Sequence, residues 1–557
     1  MRVRTALGTG LLALLGVAAL VYANRLTVLQ YSLGWLTDIQ HPREAYRPVV
    51  WMAGPATADK PLAQRPPNII VILADDLGYN DVSTRGGGYA AQGAGTPNID
   101  SIARDGVNFD NGYAGASVCT ISRAALLSGR YPWRFGVEFT PTPGALARVA
   151  PLLYDDPARI RPVVVDQDKA AAAKRFNDLG MPGSEITIAE LLRDRGYHTL
   201  HIGKWHLGGT PEQPEMRPNR QGFDESLYME SGLYLPQDSP DVVNSKQDFD
   251  PIGRFLWPNM RFGVSYNNGK WFEPNKYLTD YFTDEAVAAI RTNRNRPFFL
   301  YLAHWGVHTP LQANKADYDA LPGIPEHRRR VYAAMVRSVD RSVGRVLQTL
   351  REEGLDDNTI VIFASDNGAP GFIGLPEVNR PYRGWKLTQF EGGLRVPYMA
   401  KWPGHIPAGI RYPAPMSNID ILPTLVAAAG GQPPTDRTID GVNLLPYLAK
   451  DGPKQPDRPL FWRDGPYRAV QQQGWKLIVS EMPKKNWLFN LQQDPTEKHN
   501  LSEQEPQRVA QLQAVLAKHH AGLPQPLWPS FIQLPISIDK TADQKESADD
   551  EYTYWYN

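Results

Sequence analysis

Two uninterrupted runs of apolar, β-branched residues constrain this chain more than any other feature. They are Asn68-Ile-Ile-Val-Ile-Leu-Ala74 and Thr359-Ile-Val-Ile-Phe-Ala364. Runs without polar alternation mark strands buried on both faces, usually within a parallel sheet. The first leads into Asp75-Asp76-Leu77-Gly78 and the second into Ser365-Asp366-Asn367-Gly368. Paired oxygen donors at the end of a core strand are costly to bury without a partner, and a hard divalent cation is the simplest one. Each pair taken alone also reads as a solvated turn, with Asp76 capping a helix. Taken together they favour a site, because ligands of open parallel sheets bind at the carboxyl ends of strands.

Two further strands end in chemically useful groups. Tyr197-His-Thr-Leu-His-Ile202 runs into Gly203-Lys204-Trp205-His206, and Pro297-Phe-Phe-Leu-Tyr-Leu-Ala303 runs into His304-Trp-Gly-Val-His308-Thr-Pro310. Lys204 and His206 are two residues apart, so an extended segment would place them on one side. His201 and His304, inside or abutting the strands, read as structural. Lys204, His206 and His308 at the strand ends are the better candidates. The segment Arg383-Gly-Trp-Lys386 to Glu391-Gly-Gly reads either as an exposed loop or, being close to Asp366 and Asn367, as a contributor to the same site. Apolar residues at three- and four-residue spacing predict helices over 187–196, 280–294 and 329–353, the first with a glycine stop. Strands alternating with helices imply an α/β fold built on a large mixed, mostly parallel sheet flanked by helices.

Cys119 is the only cysteine among 557 residues, so it cannot form an intramolecular disulfide. It sits in a Gly/Ala/Ser-rich turn just before a helical pattern. A thiol at a helix entrance faces free N–H groups and the positive end of the dipole, which lowers its pKa. The alternative is a small buried hydrophobe. Basic and acidic residues balance at 59 each, which gives no footing for nucleic acid.

Arg2 and Arg4 precede an apolar run over residues 6–23, the arrangement of a secretory signal or, if retained, a membrane anchor. Either implies export, to a periplasmic or extracellular location. Residues 24–66 lack periodicity and read as a leader segment before a main domain over 67–450. Short strands at 460–462, 467–470, 475–479 and 487–491, followed by a helix at 507–520, predict a small antiparallel subdomain over 451–536. Residues 537–557 are polar and acidic, and weak order is expected there. The inserts 139–182 and 227–271 join core strands, where long loops commonly shape specificity. Tyr228, Tyr234, Trp257 and Trp271 in the second insert could stack on a sugar or aryl ring, or simply fill the cores of their loops.

These residues together resemble the sulfatase family of the alkaline-phosphatase-like superfamily, over residues 68 to 500. Cys119-Thr-Ile-Ser-Arg123 followed by Leu127-Ser-Gly-Arg130 is similar to the family's first signature, and residues 196–206 to its second. Residues 70–78, His308-Thr-Pro310, Ser365 to Gly368 and Lys386 to Gly393 stand in the expected order. Ile121 occupies a place where the family usually has Pro or Ala. The resemblance implies a sulfuric ester hydrolase. In it Asp75, Asp76, Asp366, Asn367 and the residue at 119 bind Ca²⁺ or another divalent cation. A maturation enzyme would oxidise Cys119 to formylglycine, whose hydrate is the nucleophile. Arg123 would hold a formylglycine hydroxyl. Lys204, His308 and Lys386 would surround the sulfate, and His206 would act in the elimination step. The substrate would be a sulfated small molecule or glycan. Phosphate or phosphonate monoester hydrolysis on the same scaffold is an alternative. So is non-catalytic binding of an anion or glycan, should Cys119 remain a thiol.

Overall fold

The computed structural model describes residues 15–40, 42–88, 95–144, 146–153, 160–209, 214–229, 232–247, 249–250, 253, 257–449, 456 and 458–557. The first half of the expected signal or anchor segment, residues 1–14, lies outside them, as do parts of both inserts. Ten strands form the main sheet, in the spatial order Ile410–Tyr412, Val107–Phe109, Tyr398–Lys401, Thr359–Ser365, Asn68–Ala74, Phe298–Ala303, His198–Lys204, Glu225–Met229, Val264–Tyr266 and Trp271–Phe272. The five central strands, from Thr359–Ser365 to Glu225–Met229, are parallel. Antiparallel pairs enter only towards the edges.

The apolar runs are uninterrupted because both faces of the sheet are covered. Side chains of a strand alternate between faces. Ile70 and Ile72 pack with the helices Leu278–Thr292 and His327–Glu352 on one side. Ile69, Val71 and Leu73 pack with Cys119–Ser128, Ile188–Arg193 and Ile421–Ala428 on the other. All seven residues of Asn68–Ala74 are buried.

A second unit is a four-stranded antiparallel sheet, Leu460–Asp464, Tyr467–Gln472, Trp475–Glu481 and Lys484–Asn490. The helix Pro506–His520 covers it through Val509, Leu512 and Leu516.

Two stretches differ from expectation. Residues 25–40 of the supposed leader form a helix, and the chain beyond it is fastened to the main body. Trp51 is buried there, its Nε1 donating to Glu285 at 2.8 Å. The polar C-terminus does not trail away. Tyr552–Tyr556 pairs with Ile532–Ser537, which also pairs with Val164–Val165 of the first insert, making a separate three-stranded sheet. Composition suggested weak order, but the tail supplies aromatic residues to this sheet and carboxylates to a set of ion pairs. No helix among the described residues is long and apolar enough to cross a membrane.

Candidate active site

Register places the site. Ala74 lies opposite Ser365, so Asp75 and Asp366 leave adjacent parallel strands side by side. Ala303 lies opposite Gly203, which brings the residues after both strands to the same edge. Asp76 takes a left-handed backbone conformation (φ 60°), and its carboxylate lies beside Asn367, Lys386 and His308. Gly368 is required where it stands: a Cβ there would lie 1.9 Å from the Gly392 carbonyl oxygen. That contact lets the turn bearing Asn367 pack on the turn that follows Lys386, with the Gly368 N–H donating to Gly393 O at 3.0 Å.

Arg123, in the helix that begins at Cys119, crosses beneath these strand ends with no solvent exposure. Its Nε and Nη2 approach Asp366 Oδ2 at 2.9 and 2.8 Å, and Nη2 lies 3.4 Å from Asp75 Oδ2. Its Nη1 donates to the Lys204 carbonyl at 3.1 Å. Lys204 Nζ lies 2.6 Å from Asp75 Oδ2 and 4.8 Å above the Trp305 ring. Lys386 Nζ approaches Asp76 Oδ1 at 2.7 Å and Oδ2 at 2.9 Å. His308 stacks on Trp305 with ring centroids 4.1 Å apart and presents Nε2 to Asp76 Oδ2 at 3.5 Å. Its Nδ1 lies 2.6 Å from the Thr309 carbonyl, a pure acceptor, so that nitrogen carries the hydrogen. Cys119 Sγ faces Asp75 Oδ1 at 3.5 Å and Asp76 Oδ1 at 3.8 Å.

Asp75, Asp76 and Asp366 are thus matched in charge by Arg123, Lys204 and Lys386. Burial opposes ionisation of Asp75, but Lys204 and Arg123 outweigh it and hold its carboxyl below the usual range. Burial is outweighed at Asp76 by Lys386 and His308. Asp366 moves the other way, raised by burial and by the neighbouring Asp75. Burial lowers His308 to about 4, and burial together with Lys204 and Arg123 lowers His206 well below its ordinary value, so both imidazoles are neutral near pH 7.

The thiol departs from expectation. Burial raises the Cys119 pKa well above its ordinary value, and this outweighs Lys204 and Lys386. A helix entrance lowers a thiol pKa where water still reaches it; here only 2% of the residue is exposed. His206 also differs from the extended geometry expected of it. The strand ends at Lys204, and His206 adopts φ 61° within the pocket.

Asp75, Asp76, Cys119 and His308 offer ligand atoms that all lie within 4.8 Å of one another. This group includes His308 and omits Asp366, which Arg123 and the Asp76 N–H hold alongside. Asn367 donates its Nδ2 to Asp76 Oδ1 at 2.7 Å, while its Oδ1 is buried without a hydrogen-bond partner. Clustered carboxylate oxygens, with an unsatisfied buried amide oxygen on a neighbouring residue, fit a hard divalent cation. Because the acids are already balanced by fixed cations, such an ion would give the pocket a net positive charge and make it receptive to an anion.

His201 and His304 are fully buried core histidines; His304 Nε2 bonds Ser342 Oγ at 2.9 Å. Of the four aromatic candidates, Tyr228, Tyr234 and Trp257 are buried, and Trp271 meets Tyr228 edge-on at 5.6 Å. Tyr234 has a different role. Its hydroxyl lies 2.8 Å from both the Trp305 and His308 carbonyl oxygens and braces the turn that presents His308. Nothing in its local sequence signals that contact, which spans two loops remote in the chain.

The fold and the strand-end pocket define an α/β protein whose sheet edge gathers buried cations beside a cluster of oxygen donors. The sulfatase family model matches residues 67–431, and the model for the C-terminal part of N-sulphoglucosamine sulphohydrolase matches residues 384–523. Human N-acetylgalactosamine-6-sulfatase is 36% identical over 409 residues, covering 72% of this chain and 69% of its own. Human arylsulfatase A is 32% identical over 484 residues, covering 78% and 83%. The crystal structure of Ps i-CgsB in complex with k-i-k-neocarrahexaose superposes with a TM-score of 0.68 at 31% identity, covering 83% of this chain and 95% of that one. The chain belongs to the sulfatase family. It is an enzyme that hydrolyses sulfate esters.

Proposed function

We propose that the protein cleaves sulfate from a sulfated sugar, using a formylglycine made from Cys119 by a maturation enzyme. The observation that carries this reading is the setting of Cys119. Its side chain is sealed in a polar ring, aimed at two carboxylates, with burial disfavouring the thiolate. A thiol nucleophile is poorly served there, whereas the two hydroxyls of a hydrated aldehyde would find partners on every side. Such a hydrate, if formed at residue 119, would supply one hydroxyl as nucleophile toward sulfur and a second whose deprotonation would release sulfate and restore the aldehyde. A divalent cation, most simply Ca²⁺, held by Asp75, Asp76, Asp366, Asn367 and the oxidised residue 119, would draw charge off the sulfate and acidify the attacking hydroxyl.

The remaining roles belong to the chain's own groups. Lys204 and Lys386 stand around the pocket as preorganised partners for sulfate oxygens, and His308, whose hydrogen sits on Nδ1, would join them by taking a proton at Nε2 when the anion binds. Arg123 fixes Asp75 and Asp366 relative to residue 119. His206 is neutral, and its buried Nδ1 has no partner, so its ring is free to take a proton from the second hydroxyl. The proton released by the attacking hydroxyl ends on the departing alcohol. A sugar substrate is supported by relatives named N-acetylgalactosamine-6-sulfatase and by a neighbouring structure in complex with k-i-k-neocarrahexaose.

Export is supported by Arg2 and Arg4 ahead of the apolar run. Exposed Leu20 and Tyr22 at the end of that run, and Tyr31 and Trp35 on the helix that follows, suit a segment that meets a membrane. The deciding measurement is the mass of the Cys119 peptide from active protein, alongside parallel assays on sulfate and phosphate esters. The expected result is a thiol-to-aldehyde mass change and turnover of sulfate esters. Full activity with an unmodified cysteine would overturn the mechanism.

A further inference from the structure

The loop that carries Lys386 is gripped from outside the α/β core at three points, in each case by residues of the C-terminal part. Arg383 Nε and Nη2 make a bidentate pair with Asp539 at 2.6 Å each, and Nη2 also reaches Glu551 at 2.5 Å. Leu387, in a left-handed conformation (φ 75°), packs with Val118 and Ile121 against Ile536 and Trp555. Glu391 meets Lys476 at 2.9 Å, with neither side chain exposed. Lys386 lies between these grips. Its own N–H donates to Ala369 O at 3.0 Å, the loop's tie to the turn after Asn367.

The tail is itself braced for this contact. Glu551 accepts hydrogen bonds from Lys485 and from Trp487 Nε1, and Ile538 N–H donates to the Glu551 carbonyl at 3.0 Å. The Arg383 guanidinium is thus met by two carboxylates from one end of the hairpin, Asp539 just after its first strand and Glu551 just before its second. An isolated surface ion pair contributes little, but a bidentate arginine pair within a network holds its partners in register. The sulfate pocket needs Lys386 in one position, and a shift of about 1 Å in a positioned charge can cost up to ~100-fold.

We infer that the hairpin 532–557 is a positioning element for Lys386, acting through the clamp of Asp539 and Glu551 on Arg383. The inference rests on the proposed role of Lys386 in holding sulfate. It also gives a physical place to Ile121, whose bulk fills the apolar contact between the Cys119 helix and the hairpin.

The test measures inhibition of the full-length enzyme by inorganic sulfate, with and without the clamp, in a double-mutant cycle. The clamp is removed by Asp539→Asn with Glu551→Gln, and the cycle is closed in the Lys386→Ala background. The single Asp539→Asn variant, at a side chain 52% exposed, serves as a second probe that leaves the folded core untouched. The expected result is sulfate binding weakened ~10-fold in the wild-type background, with no further loss once Lys386 is gone. An unchanged sulfate inhibition constant, or an equal loss in both backgrounds, overturns the inference. If the wild-type enzyme binds no sulfate, or Lys386→Ala binds it normally, the reading of Lys386 fails instead, and the two failures are distinguishable.

Discussion

Lys476 and Glu391 meet 2.9 Å apart with no exposed surface on either side chain, although one belongs to the C-terminal sheet and the other to the loop of the catalytic domain that carries Lys386. Lys476 also pairs with Glu497 at 2.8 Å, and Glu497 accepts the Glu391 N–H at 2.6 Å. One ammonium therefore serves two buried carboxylates. Burial raises Glu497 to about 7 despite Lys476, so the balance depends on that lysine. Removing one partner of a buried ion pair typically costs about 3–5 kcal/mol, because the other charge is left uncompensated. Lys476→Met is expected to destabilise the protein by that amount in urea unfolding. Adding Glu497→Gln should recover part of the loss, because Glu391 keeps Arg395 at 3.4 Å and the Tyr113 hydroxyl at 2.9 Å. A single variant within about 1 kcal/mol of wild type would mean that the cluster does not join the two units.

Ligand binding to the native state stabilises it by RT ln(1 + [L]/Kd), about 2.7 kcal/mol at a hundredfold excess over Kd. Chelation followed by return of Ca²⁺ is therefore expected to lower and then restore the melting temperature of the wild-type protein. Asp76→Asn removes a carboxylate of the proposed site and should blunt that response. A melting temperature indifferent to chelator and to Ca²⁺ in the wild type, with activity intact, would defeat the assignment of these oxygens to a cation.

Cys119→Ala is expected to abolish turnover while leaving the melting temperature close to wild type, since the side chain is small and makes only two long polar contacts. Lys204→Ala should lower kcat/KM by ~10²–10³-fold, the usual effect of losing one preorganised electrostatic partner. Steady-state kinetics on an aryl sulfate separates the two. Measurable turnover by Cys119→Ala would mean that residue 119 is not the nucleophile.

Much of the fold is legible in the sequence because burial on both faces writes itself as uninterrupted apolar strands. Asn68–Ala74 and Thr359–Ser365 carry that signal in full. The groups at their ends are legible for the same reason: Asp75 and Asp366 follow directly from their strands, Lys204 ends its own and His308 stands in the turn after Ala303, and parallel register brings all four strands to one edge. What stays hidden is what depends on contacts between distant loops. Tyr234 looks like any insert aromatic until its hydroxyl meets the His308 turn. Asp539 and Glu551 read as tail acidity until Arg383 lies between them. The raised thiol pKa of Cys119 is invisible for a related reason. Position at a helix start is a local fact, whereas burial is a global one.

The hairpin clamp carries its own pH signature. Burial works against ionisation of Glu551, but hydrogen bonds from Lys485 and Arg383 outweigh it and bring its carboxyl from the ordinary range near 4.5 down to about 2. A carboxylate depressed in the folded state binds fewer protons there than in the unfolded chain, so its contribution is present in full above the ordinary value. It is lost as pH falls from about 4.5 through about 2. The side chain is 32% exposed and solvent screens the pair, which makes the effect modest. The stability difference between wild type and Glu551→Gln is therefore expected to be largest at neutral pH, to shrink below pH 4.5 and to vanish near pH 2. Urea unfolding across that range reads it directly. A difference independent of pH would mean that the carboxylate charge contributes nothing and that Glu551 acts through shape alone.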